Sequence, residues 1–284
     1  IKFKISFFLV VLILQSCKSQ THFSHDLSFE QSNGSETATY AEVINFYQKA
    51  TSFSKNATFT KYGTTDSGKP LHVFTLESEY ISKEPLKVLI LNGIHPGEPD
   101  GIDASMLLVK KILNGDFKLP TSIQLNIVPI YNVGGALNRN STTRVNQNGP
   151  TAYGFRGNAL NYDLNRDFIK TDTKNAASFH QIYHKINPDV FIDTHVSNGA
   201  DYQYTLTHLF TQSQQLGGKL GEFIDQEFIP TLEEDLNSKN HIITPYVNVF
   251  NRTPQQGFSQ FLDTPRYSTG YTSLWNSLGL MIET

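Results

Sequence analysis

Three residues of this chain have the types and spacing to hold a divalent metal ion together. The run Leu89-Ile-Leu-Asn-Gly-Ile-His95-Pro-Gly-Glu98 places an imidazole and a carboxylate three residues apart, directly after an apolar stretch. Zinc accepts imidazole nitrogen and carboxylate oxygen, and Pro96-Gly97 allows a turn tight enough for both to converge on one ion. A second apolar run, Asp189-Val-Phe-Ile-Asp-Thr, delivers His195 at its end. Two histidines and one carboxylate leave a fourth position for water, the pattern of a catalytic rather than a structural zinc. Each residue also has an ordinary explanation, as a hydrogen-bonded turn pair or a packed histidine. The metal reading rests on their combination.

Such groups need buried elements to position them. Leu71–Leu76, Leu86–Asn92, Ile123–Tyr131, Asp189–Thr194 and Leu278–Glu283 are mostly continuous apolar runs with β-branched residues and read as strands. Helical patterns cover Tyr40–Phe53, Gly101–Leu113, Thr173–Ile186, Ser213–Phe228 and Thr272–Ser277. Their alternation predicts a single α/β domain with a mixed, mostly parallel twisted sheet and helices on both faces. Ligands collect in such folds at the strand ends, where His95, Glu98 and His195 fall. His180 and His184 stand one helical turn apart, but Gln181 occupies the place where a thermolysin-type site needs glutamate, so both are expected on a helix surface. Asp193 could support His195 or simply pack, and Asp100 and Asp103 suit a helix N-terminus.

Between the two histidines lies Asn161-Tyr-Asp-Leu-Asn-Arg-Asp167. The pattern Asp163-x-Asn165-Arg166 resembles the signature of the zinc carboxypeptidase family. So does the order His-x-x-Glu, Asn-Arg, His and a late Glu, and the likeness runs from about Leu86 to the end of the chain. Asn132-Val-Gly-Gly135 is similar to the family's Asn-Pro-Asp-Gly turn, with both central residues altered. The resemblance implies one zinc per chain on His95, Glu98 and His195, with Asp163 fixing the tautomer of His95. It implies that Asn165 and Arg166 clamp the free C-terminal carboxylate of a peptide, and that an arginine, Arg144 in preference to Arg139, polarises the scissile carbonyl. Glu283, ending Leu278-Gly-Leu-Met-Ile-Glu283, would be the general base. The family's mobile tyrosine has two candidates, Tyr267 first and Tyr271 second.

The function so implied is removal of C-terminal residues from peptides, with peptidoglycan stem peptides as a variant substrate. An aspartoacylase-type deacylase, which shares the sheet and the metal set, is the alternative enzyme. A peptide-binding lipoprotein with an inherited, inactive site is the alternative without catalysis. No Asp or Glu occurs between Arg266 and Met281, where the family places an acid to read basic side chains. A pocket built from Leu274 and Trp275 would favour apolar ones.

Composition bounds the rest. The chain has 284 residues, 38% hydrophobic and 17% charged, with a formal charge of -3, which excludes a disordered tail and offers no nucleic-acid footprint. Lys2 and Lys4 precede an apolar run from Ile5 to Leu14, too short to span a bilayer and proportioned like a signal-peptide core. Ser16-Cys17 after that run resembles the lipobox of bacterial lipoproteins, which implies a signal peptide over 1–16, lipidation of Cys17 and a flexible tether over 17–38. The catalytic domain is then expected over 39–284, in a periplasmic or cell-surface lipoprotein that meets the membrane only through its lipid. Cys17 is the single cysteine, so no disulfide can form within the chain. Because Glu283 is penultimate, the domain is expected to continue beyond Thr284, with a C-terminal extension improving stability and activity.

Overall fold

The apolar runs become the strands of one sheet. In the computed structural model, which describes residues 22–197, 202–248 and 253–284, the strands are β1 (Ala57–Tyr62), β2 (Leu71–Glu77), β3 (Leu86–Leu91), β4 (Ile123–Val128), β5 (Val190–His195), β6 (Leu206–Phe210), β7 (Ile243–Pro245) and β10 (Leu278–Glu283), with a separate ribbon of β8 (Val247–Asn248) and β9 (Ser259–Gln260). The sheet order is β1-β2-β4-β3-β5-β10-β6-β7. Its centre, β4-β3-β5-β10, is parallel, while β1, β2 and β6 add antiparallel pairings. The register of β10 on β5 sets Glu283 opposite His195.

Helices cover both faces. The helices α1 (Ser28–Gln31), α2 (Tyr40–Phe53), α3 (Asp100–Asn114), α4 (Val133–Leu137) and α5 (Lys174–Ile186) precede or cross between the central strands; α6 (Ser213–Leu216), α7 (Gly218–Phe223), α8 (Ile229–Ser238) and α9 (Ser268–Ser273) follow. Val43, Phe46 and Tyr47 of α2 with Met106 and Val109 of α3 bury one face, against Phe74, Ile90 and Ile127. Phe179, Ile182 and Tyr183 of α5 bury the other, against Leu89, Leu91 and Phe191. Neighbouring positions 89, 90 and 91 therefore point to alternate faces, as the period of a strand requires. Local chemistry sets the ends. Thr39 and Glu42 form a reciprocal capping box on α2, and Asn187 closes α5 in the left-handed conformation. The helix expected over 213–228 is interrupted, because Gly217 and Gly218 both adopt positive φ. No helix among the described residues is long and apolar enough to cross a membrane.

The tether expected over 17–38 is corrected for the part described, 22–38. Phe23 and Leu27 are buried in the cluster of α2 and α3, and the Phe23 N–H donates to Asn114 Oδ1 at 2.7 Å. Arg139 donates to the carbonyls of Thr37 and Ala38 at 3.2 and 3.3 Å. Two apolar anchors four residues apart, inside a polar composition, are enough to dock this segment. Cys17 and the apolar run before it lie outside the described residues.

Candidate active site

The carboxyl ends of β3, β5 and β10 meet at a cavity of about 210 Å³. His95 follows β3 by four residues, Glu98 closes the next turn through its N–H on the His95 carbonyl at 2.8 Å, and His195 is the last residue of β5. All three are buried, and one donor atom from each lies within 4.8 Å of the others. Gly97 is needed within this turn. A Cβ there would come to 2.7 Å of the Gly154 carbonyl and 3.0 Å of Arg144 Nε.

The donor set fits a zinc ion. Both imidazoles turn Nδ1 inward, His95 at 3.1 Å from Glu98 Oε1 and His195 at 2.8 Å from Glu98 Oε2. Both outer nitrogens are held by carboxylates: His95 Nε2 reaches Asp163 Oδ1 at 2.9 Å, and His195 Nε2 reaches Asp193 Oδ2 at 2.9 Å. Such outer partners fix the tautomer that leaves Nδ1 free to ligate. Charge is arranged to the same end. Burial alone would raise the Glu98 pKa, but the flanking imidazoles hold it well below the usual carboxylate range. Burial alone would lower that of His195, but Asp193 and Glu98 hold it well above the ordinary value.

Around this centre the structure gathers Glu283, Asn165, Arg166, Arg144 and Tyr267 on the same cavity. Burial pushes Glu283 up to about 7, against the opposing pull of His195, and a base poised there suits proton transfer at neutral pH. Asn165 is buried beside His195 Nε2 at 3.4 Å. The Arg166 guanidinium lies 4.7 Å from the centre of the Tyr267 ring and donates to the Asn165 carbonyl at 2.7 Å. Arg144 Nη2 donates to Glu98 Oε1. Arg139, its rival in the sequence, is spent on backbone carbonyls and does not line the cavity.

Tyr271 is a correction. It is buried in the core behind the cavity, stacked on His180 at 4.7 Å and 4°, with its hydroxyl 3.2 Å from His184 Nε2. It therefore cannot meet substrate without unpacking α9 from α5. The histidine pair is explained by the same contact: His184 is exposed, while His180 is half-buried and donates to the Phe168 carbonyl at 2.8 Å. Leu274 and Trp275 are about half exposed, 52% and 49%, and neither lines the cavity.

Three cavity residues escaped the sequence reading. Arg156 donates from Nε and Nη2 to Asp163 Oδ2 at 3.1 and 2.8 Å, while its Nη1 stands 3.4 Å from His95 Nδ1 and 3.7 Å from Glu98 Oε1. Its place seven residues before Asp163 was the available signal. Tyr246, set by its N–H on the His208 carbonyl at 2.8 Å, has its hydroxyl pKa raised by burial and by the nearby Glu283 carboxylate. Asp263 also lines the cavity. Nothing in the local sequence marked either of these two.

Residues 43–207 match the model of the zinc carboxypeptidase family, and the chain belongs to that family. Over 185 residues it is 24% identical to carboxypeptidase 2 of Trichophyton rubrum, an alignment that takes in 59% of this chain and 31% of the fungal protein. Among solved structures it is similar to the metallo-carboxypeptidase of Burkholderia cenocepacia, with a TM-score of 0.66 and 18% identity over 87% of this chain and 60% of that one. Carboxypeptidase A of Helicoverpa armigera gives a TM-score of 0.60 and 12% identity over 86% and 63%. At these identities the structural likeness is one of fold. This chain spans about a third of the fungal relative's length and about three fifths of the bacterial one's.

Proposed function

We propose that this chain is a zinc metallocarboxypeptidase that hydrolyses the C-terminal peptide bond of peptides, with Glu283 as general base. The observation that carries this is the convergence on one cavity of a His-Glu-His donor set, a buried glutamate and an Asn-Arg pair. His95, Glu98 and His195 would hold the zinc, whose Lewis acidity polarises the scissile carbonyl and eases deprotonation of a water. Arg166 and Asn165 bind the substrate's terminal carboxylate, which a guanidinium fork matches in geometry and charge. Glu283 takes a proton from the attacking water and returns it to the leaving amine. Tyr267, against which Arg166 stacks, closes over the bound terminus.

Two guanidinia can answer the oxyanion. Arg144 is the donor inferred from the sequence, but its Nη2 is engaged by Glu98. Arg156 is braced by the carboxylate that also braces His95, with Nη1 turned inward. We assign the oxyanion to Arg156 and give Arg144 the task of neutralising Glu98.

The test is a zinc assay joined to amino acid release. One zinc per chain is expected. Glu283→Gln should keep the zinc and lower kcat by roughly 10²–10⁴-fold. Because Glu283 acts ionised and is raised to about 7, kcat/KM should fall as pH drops below that value. Acyl release from N-acyl amino acids without peptide trimming would replace this reading with the deacylase.

The proposal extends to location. Lys2, Lys4, the apolar run and Ser16-Cys17 support export and lipidation of Cys17 in a bacterial envelope. Metabolic labelling with a fatty acid should mark the full-length protein and be lost in Cys17→Ser.

A further inference from the structure

Arg139 stands outside the cavity, half-buried, and spends its guanidinium on three backbone carbonyls. Nη1 donates to the Ala38 carbonyl at 3.3 Å, and Nη2 to the carbonyls of Thr37 at 3.2 Å and Ala152 at 2.5 Å. The side chain thereby joins two segments remote in sequence, the end of the N-terminal stretch and the far side of the loop 140–153. Thr151 doubles the join, since its N–H and hydroxyl donate to the Ser35 carbonyl at 2.9 and 3.1 Å. The N-terminal stretch is a firm support, because Phe23 and Leu27 dock it among α2 and α3. A guanidinium suits the task, for its rigid fork of five N–H donors can answer carbonyls on two segments at once.

The loop so fastened is the one that carries Arg144. Asn140 and Tyr153 pair across its neck, each N–H on the other's carbonyl, at 2.8 and 2.9 Å. The hydroxyl of the buried Tyr153 accepts the Arg144 N–H at 3.0 Å. Gln147 Nε2 donates to the Gly97 carbonyl at 3.0 Å, and Arg144 Nη2 donates to Glu98 Oε1. Every residue from Ser141 to Pro150 is exposed or half-buried, and Val145 is 89% exposed. A loop with so little buried surface keeps its place through its hydrogen bonds. Those bonds lead from the N-terminal segment through Arg139, the neck and Tyr153 to a metal ligand.

We propose that Arg139 is a positioning residue for the metal site: it fastens the loop to the N-terminal segment, and so keeps Arg144 on Glu98 and slows the escape of zinc. The inference rests on the zinc reading of His95, Glu98 and His195. A partner bonded to a ligating carboxylate orients it, and losing such a partner weakens the hold on the metal. Without Arg139 the outer edge of the loop is released, Arg144 leaves Glu98 for part of the time, and the carboxylate loses its orientation. The segment 22–38 is thus part of the scaffold of the site rather than a spacer ahead of it.

The experiment measures zinc release to a chelator from the zinc-loaded full chain, its Arg139→Ala and Arg144→Ala variants and the double variant. Hydrogen exchange of the metal-free proteins, followed by mass spectrometry, is measured beside it. Arg139→Ala should speed release by roughly tenfold, and Arg144→Ala by at least as much. The double variant should release zinc no faster than Arg144→Ala, because Arg139 acts through that residue. Amides of 140–150 should exchange faster in Arg139→Ala while those of β3 and β5 keep the wild-type rate, which a general loss of stability would not produce. Arg139→Lys, which keeps the charge without the fork, should recover only part of both effects, and it carries the test if the alanine variant does not fold. Effects on release that multiply in the double variant would overturn the proposal, as would wild-type release from Arg139→Ala. Should no protein bind zinc, the zinc reading fails, and exchange still judges Arg139: faster exchange confined to the loop upholds its fastening, and an unchanged loop overturns it.

Discussion

Two parts of the cavity lining are built by different means. Around the metal ligands the charged groups are paired, His95 with Asp163, His195 with Asp193, and Glu98 with both imidazoles and Arg144, while Asp193 Oδ1 and Arg144 Nε stay buried without a partner. In the segment from Phe261 to Tyr267, Asp263 is held by Gln215 through its carbonyl and its Oδ1. The first is a dense network of charged pairs that fixes the ligands' geometry, and the second is a sparser one in which two glutamines hold the chain in place. Ser268 joins them, since it follows Tyr267 and its hydroxyl donates to Asp193 Oδ2.

The two arginines offer the largest expected break around the metal ligands. If Arg156 faces the oxyanion and Arg144 serves Glu98, Arg156→Ala should lower kcat by roughly 10²–10³-fold with little change in zinc content. Arg144→Ala should instead weaken zinc retention and affect kcat less once metal is saturating. Steady-state kinetics with zinc titration separates the pair. A reversed ranking would return the oxyanion to Arg144.

A smaller effect tests the outer carboxylates. Asp193→Asn keeps the shape but weakens the charge on His195 Nε2, and should lower zinc affinity by roughly 10–100-fold in a chelator competition. Ser268→Ala, which leaves Asp193 in place, should cost less than that. If it costs as much, the bridge from that segment is part of the metal site rather than an accessory to it.

The same contrast governs what the sequence disclosed. His95, His195 and Glu283 were legible because long apolar runs become buried strands, and the polar residue ending such a run has only the crevice to enter. The central strands and the helices α2, α3 and α5 were legible for the same reason of periodicity. Arg156 was missed because it lies in an irregular stretch, where its place depends on Asp163 seven residues on. Asp263 and Tyr246 sit on connections whose course is set by distant partners, the glutamines at the start of α6 and the edge of β6. Tyr271 was misassigned because spacing from Glu283 does not say which side of α9 faces α5. The segment 22–38 was misread because composition averages over the two residues, Phe23 and Leu27, that dock it.

Asp103 sharpens the comparison at the smallest scale, because like Asp263 it is a buried acid bonded to another segment of the chain. It accepts hydrogen bonds from the Thr37 hydroxyl and the Ala38 N–H, and so holds the N-terminal segment to α3. Burial nonetheless pushes it up to about 6, above its model-peptide value of 3.8. A carboxyl whose folded pKa is raised binds its proton more tightly in the folded state. Its contribution to stability is therefore fullest below the unfolded pKa and is lost as pH rises through about 6. Between pH 5 and pH 7.5 that loss should be about 1 kcal/mol, since one unit of differential protonation is worth about 1.4 kcal/mol. Denaturant unfolding of wild-type protein at the two pH values, set against Asp103→Asn, isolates the share of this residue from that of other titrating groups such as Glu283. The wild type should lose about that much more stability than the variant on going to pH 7.5, with turnover at saturating zinc unchanged. An identical pH dependence in both proteins would mean that Asp103 is ionised throughout, paired well enough by Thr37 and Ala38 that burial no longer governs it.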